Sequence, residues 1–587
     1  MKSDTYVSEA DLQEHLELID KAPSVAVDTE GTLTHPYSQT WGLSLSAFGK
    51  AEYYAFNHQI DPHNNLPKEW LGKIKMCLEN HPRVVMHHAK HDIKALRNLD
   101  IDLYDRSFNC TMMKAHMVDE NYASKALDWM SRHFGGEPKR NDEVMDKVKK
   151  AFGWGYIPVE IIRPYGANDA LITEELDNKL EPKFEVQFPE RKAPDLWEHE
   201  RAFTKFLIDI EDNGILIDQD LAQREYERGT KKMAELRSSL GFNPGSTKDL
   251  GRVLIEELGL PVVKRTKTNA PSFDKYAMEE YDRLLSQTND SRARRILEYR
   301  GWQKTTSSNY RPYLELLGPD GRLRPNYKQH GTHTGRLSCE LPNLQQIPKQ
   351  SAKDWNGNLK AAFIVDVGRT AWEFDYSQLE FRLGAAYGRV QQLIDIFADA
   401  GRDVFSEIAK TLGMGRQQVK TLVYTIQFGG GANRIHQVFE VSIAEAQKII
   451  KNFYKQYAGL QKIAAMAQAK AWQNGYVTYW TGRRRHFVNL QKEAHKAFNS
   501  VIQGGAFEIT KRQMVRLREE GLHNDECKID LQVHDSIRVD VEEGKEHIYI
   551  PEIKRVLEDV KKHKDFGVDF RIDIHKWNTD EKYELAA

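Results

Sequence analysis

Cysteine is scarce in this sequence: four in 587 residues, at Cys77, Cys110, Cys339 and Cys527, with no paired spacing among them. That argues against a zinc module or a disulfide framework and fits a reducing cytoplasm. Long apolar runs are lacking as well. No stretch of about 18 apolar residues occurs, so no membrane-spanning helix is expected. The opening, MKSDTYVSEADLQEHL, has no apolar core segment and does not read as a signal peptide. Net charge is nearly absent: 84 Lys and Arg against 86 Asp and Glu give −2. Any nucleic-acid surface must therefore be local rather than spread over the chain. Internal repeats and low-complexity tracts are missing too. What remains is an ordinary soluble composition, 29% charged and 40% hydrophobic. The length calls for roughly three or four domain-sized units.

The residues Trp372 to Phe381, WEFDYSQLEF, organise the second half. An apolar approach reads as a buried strand and delivers Asp375 at its end, and Tyr376-Ser377-Gln378 then turns into a helix. A carboxylate at a strand end, beside free backbone carbonyls, can hold a hard divalent cation through oxygen ligands. Its partner comes 160 residues later (535 − 375), where Leu531-Gln532-Val533-His534-Asp535 ends one apolar strand and Ile537 to Val541 forms the next. Two acids that meet across a sheet are what a two-metal phosphoryl-transfer site requires.

The first third carries a second acidic pattern. SVAVDTEGT, TWGLSLSAF and AEYYAF, between Pro23 and Phe56, are separated by turn residues and predict an antiparallel meander. Asp28 and Glu30 lie two apart on the first strand and share one face. The run at 83–87 leads into a helix expected to open near Asp92, and Tyr165 and Asp169, four apart, share a helix face. Asp28, Glu30, Asp92 and Asp169 could bind two Mg²⁺ and activate a water that Tyr165 orients. His87, His88, His91 and His116 come with no cysteine partner and no H-E-x-x-H pattern, which argues against zinc.

Pro182 to Pro194 is proline-punctuated and reads as a domain boundary. A helical pattern starts at Trp197 and stops at Asn213-Gly214. From Leu221 to Lys304 there are 17 Lys and Arg against 12 Asp and Glu. That surplus suits either a solvated face or an arm that grips duplex backbone through phosphate contacts. In THTGRLSCELPNLQQIP, Arg336, Asn343 and Gln345 offer donors for the minor-groove acceptors common to all base pairs. Further on, Arg416, Lys420, Tyr424 and Phe428 recur every four residues and make one helix stripe, about 6 Å per step. Two cations followed by two aromatics would suit a triphosphate and its base. GYVTYWTGRRRHF predicts a hairpin with Arg483 to Arg485, and the long helix after it places Asn499 and Gln503 on one face.

From about Trp197 to the C-terminus these motifs, in this order and spacing, resemble the polymerase domain of family A DNA polymerases, the bacterial DNA polymerase I type and its phage relatives. The N-terminal segment resembles the DEDDy-type 3′–5′ exonuclease domain. The resemblance implies an α/β chain with an RNase H-like exonuclease domain at 1–190 and a right-hand polymerase domain at 191–587. Within the latter it implies a thumb at about 197–320, a palm at about 321–400 and 491–587, and fingers at about 401–490. It makes Asp375 and Asp535 metal ligands with the Tyr376 carbonyl assisting. It also assigns nucleotide contacts to Gln378, Glu380, Arg416, Lys420, Tyr424 and Phe428. Glu380 would exclude a ribose 2′-OH, and Lys420 would donate a proton to the leaving group. Arg336, Asn343, Gln345, Asn499, Gln503 and His534 would contact primer, template or the new pair. Asp28, Glu30, Asp92, Tyr165 and Asp169 would serve the exonuclease.

Five positions depart from the family's usual residues: His88 for Asn, Lys360 for Arg, Phe405 for His, Phe428 for Tyr and Ser536 for Glu. None removes a metal ligand. The implied cofactors are two Mg²⁺ at each site, with Mn²⁺ as the substitute. The implied partners are primer–template DNA and dNTPs, with a processivity factor, helicase or single-strand binding protein as further candidates, no membrane, and a monomeric state. The family's frequent N-terminal 5′-nuclease domain is not seen, which suits a phage replicative enzyme acting in host cytoplasm. Two alternatives share parts of the pattern. A single-subunit RNA polymerase has the palm acids and the Lys-bearing helix, but Glu380 and the nuclease-like segment argue against it. A non-catalytic DNA-binding accessory subunit should have lost metal carboxylates, and none is missing.

Overall fold

The computed structural model describes residues 7–579 apart from 33–36, 38, 61, 141–142, 189–193 and 348–358. The three apolar runs of the first third form β1 (Val25–Gly31), β2 (Thr40–Ala47) and β3 (Lys50–Ala55), paired antiparallel as expected. β4 (Val84–Met86) and β5 (Phe108–Cys110) then add in parallel, giving the order β3-β2-β1-β4-β5. This is the strand order of an RNase H-like sheet. Helix α1 (Ala89–Arg97) begins three residues before Asp92, earlier than the sequence suggested. Asp92 therefore sits in its first turn, where a carboxylate favours the helix dipole.

Helix α2 (Val159–Gln187) crosses the sheet. Gly166 permits the close approach, since a Cβ there would come within 2.6 Å of the Tyr53 ring and 2.8 Å of the Ser44 hydroxyl. The helix runs through Pro182, so the break expected from 182 onward starts only after Gln187, and residues 189–193 lie outside the described residues. Pro182, the second of two prolines inside this helix after Pro164, forfeits one hydrogen bond, and Leu176, Leu180 and Phe184 bury apolar surface that offsets it.

Helix α3 (Pro194–Asn213) ends where Gly214 turns left-handed, with φ +61°. It is a shared wall. Ile208 packs into the core of the N-terminal sheet, while Phe203, Phe206, Leu207 and Ile210 pack into the core of the second half. Lys94 reaches Glu211 at 3.2 Å and Asp212 at 3.0 Å, which adds ion pairs between the two halves.

The arm consists of α4 (Gln219–Leu240) packed on α5 (Arg292–Thr305), with its own small core around Leu250, Phe273, Tyr281 and Ile296. The chain then forms β6 (Arg369–Tyr376) and α6 (Leu379–Gly388), followed by α7 (Val404–Leu412), α8 (Arg416–Gln427) and α9 (Ala458–Asn474). A hairpin follows, β7 (Tyr476–Thr478) with β8 (Arg484–His486), and then α10 (Ala497–Glu519). Finally β9 (Cys527–Val533), β10 (Ser536–Glu542) and β11 (Ile572–Lys576) join β6 in an antiparallel sheet of order β9-β10-β6-β11. Among the described residues no helix is long and apolar enough to cross a membrane.

Two candidate acidic active sites

The strand ends of the second sheet bring Asp375 and Asp535 together. In the β6–β10 register Asp375 lies opposite Ser536, the residue after Asp535, and the Tyr376 amide donates to the Asp535 carbonyl at 3.4 Å. His534 makes the tight turn between β9 and β10 in a left-handed conformation (φ +54°), and its side chain is exposed. Gln378 turns the chain out of β6 the same way, with φ +49°. On the other side of β6, Asp573 of β11 lies opposite Asp375 and takes a hydrogen bond from Ser377. The sequence pattern did not single out Asp573, because one acid in a short alternating strand looks like any solvated residue.

Glu380 is buried in the first turn of α6. Arg336 donates to its Oε1 at 2.6 Å and to Asp535 Oδ1 at 3.2 Å. Gln427, at the end of α8, donates to Glu380 Oε2 at 2.8 Å. Burial, against the opposing pull of Arg336, pushes the Glu380 carboxyl up to about 7.

The stripe on α8 faces this cluster. Arg416 is exposed and pairs with Asp403 through two bonds of 2.8 and 3.0 Å. Lys420 is half-buried and forms no ion pair among the described residues. The Tyr424 and Phe428 rings stack 6.2 Å apart at 17°. Burial raises the Tyr424 phenol, and the carboxylates of Glu380, Asp535 and Asp375 raise it further. Phe405 fills the space behind, parallel to Phe381 and 6.0 Å from Tyr424. Asn499 and Gln503 are half-buried positions on α10, most of whose other residues are buried.

Asn343 is exposed, but Gln345 is not: it is buried and donates to Gln532 Oε1 at 2.6 Å. Of the three donors expected from that loop, Gln345 thus points into the protein. Its backbone forms a short 3₁₀ turn capped by Asn343, which rotates the side chain inward.

The N-terminal sheet carries the second cluster. Asp28 and Glu30 on β1 and Asp169 on α2 each place a ligand atom within 4.8 Å of the other two. Asp92 stands beside them and accepts the Thr29 hydroxyl at 2.8 Å. Tyr165 is one turn before Asp169. Burial and the neighbouring carboxylates push Asp28 well above the usual carboxylate range and Glu30 up to about 8. Asp169 is pushed up to about 6 by burial, against the pull of Lys139. Glu30 Oε1 and Asp169 Oδ1 are buried with no hydrogen-bond partner. Crowded, orphaned carboxylate oxygens of this kind fit a divalent cation, which would offset their repulsion.

Lys139 supplies a partial substitute. It pairs with Asp169, and its ammonium lies 4.5 Å from the Tyr165 ring centroid. Periodicity could not have found this contact, since Lys139 sits in a charged stretch 30 residues before Asp169 (169 − 139). Both ring nitrogens of His87 are committed, at 2.8 Å to Thr111 and 2.8 Å to the Lys125 carbonyl.

The comparisons with known proteins follow this division. Residues 217–579 match the family described as DNA polymerase family A, and residues 5–185 match the one described as 3'-5' exonuclease. DNA polymerase I of Pseudomonas aeruginosa is 29% identical over 92% of this chain and 62% of its own length. DNA polymerase DpoZ of Acinetobacter phage SH-Ab 15497 is 27% identical over 95% of this chain and 96% of its own length. The chain therefore spans about six tenths of that bacterial relative. Among solved structures, the POL domain of Pol1 from M. smegmatis, in complex with DNA primer-template and dNTP, is similar with a TM-score of 0.80. That match covers 97% of this chain and 98% of that one at 21% identity, a likeness of fold.

Proposed function

The chain belongs to DNA polymerase family A, and from that premise we propose that it copies DNA by extending a primer and trims 3′ ends in a separate domain. One observation carries the reading: Asp28, Glu30 and Asp169 place ligand atoms within 4.8 Å of one another, and at a separate place the paired strand ends set Asp375 beside the turn that carries Asp535. The exonuclease domain is 1–190 and the polymerase domain 191–587, with the thumb at about 197–320 and the fingers at about 401–490. The palm takes about 321–400 and 491–587.

Asp375 and Asp535, with the Tyr376 carbonyl, would hold two Mg²⁺ at the polymerase site. Asp28, Glu30, Asp92 and Asp169 hold two at the exonuclease site, and Mn²⁺ can substitute. Such ions, when bound, lower the pKa of the attacking hydroxyl or water and offset charge on the phosphoryl group. The protein's own groups do the rest. Arg416 leaves its exposed partner Asp403, a contact of small net worth, and joins Lys420 on the triphosphate. Lys420 donates a proton to the departing pyrophosphate. Tyr424 and Phe428 present ring faces to the incoming base and sugar, with Gln378 near the sugar. Glu380 closes the space where a 2′-OH would sit. Arg336, Asn343, Asn499, Gln503 and His534 contact primer and template, while Tyr165 orients the water for 3′ trimming.

The end-to-end likeness to a phage polymerase favours genome replication in a phage, with a processivity factor, helicase or single-strand binding protein as candidate partners. The test is a 5′-labelled primer–template incubated with Mg²⁺, with and without dNTPs. Longer products with dNTPs and shorter ones without them are expected. A primer of unchanged length in both lanes would overturn the reading.

A further inference from the structure

Glu380 is held from two sides by two different parts of the chain. Arg336 grips Oε1 at 2.6 Å from the palm side, and Gln427 grips Oε2 at 2.8 Å from the last turn of α8. The two contacts differ in kind. Arg336 is one-fifth exposed (20%), shares its guanidinium with Asp535 at 3.2 Å, and has a buried Nε without a partner. It is also a residue read here as touching DNA, so its hold on Glu380 is one it can give up. Gln427 is 5% exposed and is enclosed with Glu380 by Phe381, Val423, Ile426, Leu460 and Ile502. The Gln427 amide N–H donates to Oε2, while its own Oε1 is buried without a hydrogen-bond partner among the described residues. Apolar side chains behind the pair offer Glu380 no other polar partner on that side, and a carboxylate turned that way would be desolvated without compensation.

We propose that Gln427 is a positioning residue that fixes the Glu380 carboxylate against the incoming sugar, so that discrimination against a 2′-OH depends on α8 being seated on α6. The inference rests on reading Glu380 as the sugar-sensing group. α6 belongs to the palm and α8 to the fingers, and this hydrogen bond spans them. A displaced α8 takes the Gln427 donor with it and lets the carboxylate rotate away. A seated α8 locks the carboxylate where a ribose would clash and leave the acid unsatisfied. The nucleotide's sugar is therefore tested only when the helix that holds its triphosphate and base is in place.

The experiment measures single-nucleotide insertion of a dNTP and the matching rNTP by four proteins: parent, Gln427→Met, Glu380→Ala and the double variant. The readout is the ratio of the two kcat/KM values, which cancels any general loss of activity. Gln427→Met keeps the side-chain length and removes the donor, and Gln427→Leu serves if that protein does not fold. Glu380→Ala is expected to lower the ratio most and Gln427→Met to lower it about tenfold, the worth of one charged hydrogen bond. The double variant should match Glu380→Ala alone, because Gln427 acts through Glu380. An unchanged ratio in Gln427→Met beside a fallen one in Glu380→Ala would overturn the inference and leave the reading of Glu380 standing. Multiplicative losses in the double variant would also overturn it, since Gln427 would then act independently. An unchanged ratio in Glu380→Ala would overturn both.

Discussion

Glu200 on α3 can be used to test whether buried charge balance holds α3 against the β7–β8 hairpin and α10. Arg483 and Lys511 both donate to its Oε1, and Gln329 donates to Oε2 at 3.1 Å. Glu508 completes the set, 2.7 Å from Arg483 and 3.0 Å from Lys511. The four charged side chains are each 5% exposed or less. Two acids and two cations make the network neutral. Glu200→Gln would leave one buried positive charge without compensation, a loss of about 3–5 kcal/mol, which is a large part of a domain's whole stability. Adding Lys511→Met restores neutrality and should recover most of that loss. Urea unfolding at pH 7, followed by tryptophan fluorescence and circular dichroism, reads both effects. Glu200→Gln within about 0.5 kcal/mol of the parent, or a double variant no more stable than the single, would refute the reasoning. The pH dependence has a definite sign. Burial alone would raise both carboxyls, but Arg483 and Lys511 outweigh it and hold Glu200 and Glu508 below their ordinary value of 4.5. The stabilisation is therefore present above pH 4.5 and lost as the pH falls below it. Glu200→Gln should show a shallower acid decline than the parent.

The two activities should separate, because their acids lie on different sheets. Asp28→Ala with Glu30→Ala should abolish 3′ trimming on the labelled-primer gel while extension persists, and Asp375→Ala or Asp535→Ala should do the reverse. Chelation of divalent cations should stop both activities, and Mn²⁺ added after Mg²⁺ removal should restore both on the same gel. Tyr424 leads to a prediction about chain terminators. Its phenol, on the stripe proposed to face the incoming base and sugar, can replace the hydrogen bond that a dideoxynucleotide's missing 3′-OH cannot make. That contact is worth on the order of 1–3 kcal/mol at a charged acceptor, so the parent should accept ddNTPs readily and Tyr424→Phe should raise the dNTP to ddNTP incorporation ratio about tenfold. Equal ratios for the two proteins would remove Tyr424 from the sugar's side.

Local periodicity identified the elements that carry the chemistry, because each is an apolar run with a polar residue at a fixed place. Asp375 and Asp535 stand at strand ends, Asp28 and Glu30 alternate on one strand, and Arg416 to Phe428 repeat every helical turn. Two of those three features need only one element to be recognised; the pairing of Asp375 with Asp535 needed the further inference that two apolar strands would lie side by side. What stayed hidden depends on which element packs against which. Gln427 falls three residues after Tyr424, beside the stripe rather than on it, and only the packing of α8 on α6 turns its amide toward Glu380. Glu200 and Arg483 are 283 residues apart and look like ordinary solvated charges until α3, the hairpin and α10 enclose them. Gln345 shows the same effect with the opposite consequence. Its composition suits a groove-reading donor, yet the 3₁₀ turn it belongs to and the amide of Gln532 draw it inside. Polar side chains carry little intrinsic direction, since a hydrogen bond is worth only about 1 kcal/mol net and either water or a neighbour can satisfy it. Their destinations are therefore set after the apolar faces have chosen partners, and for that reason the positions that tune this site were the ones its sequence did not disclose.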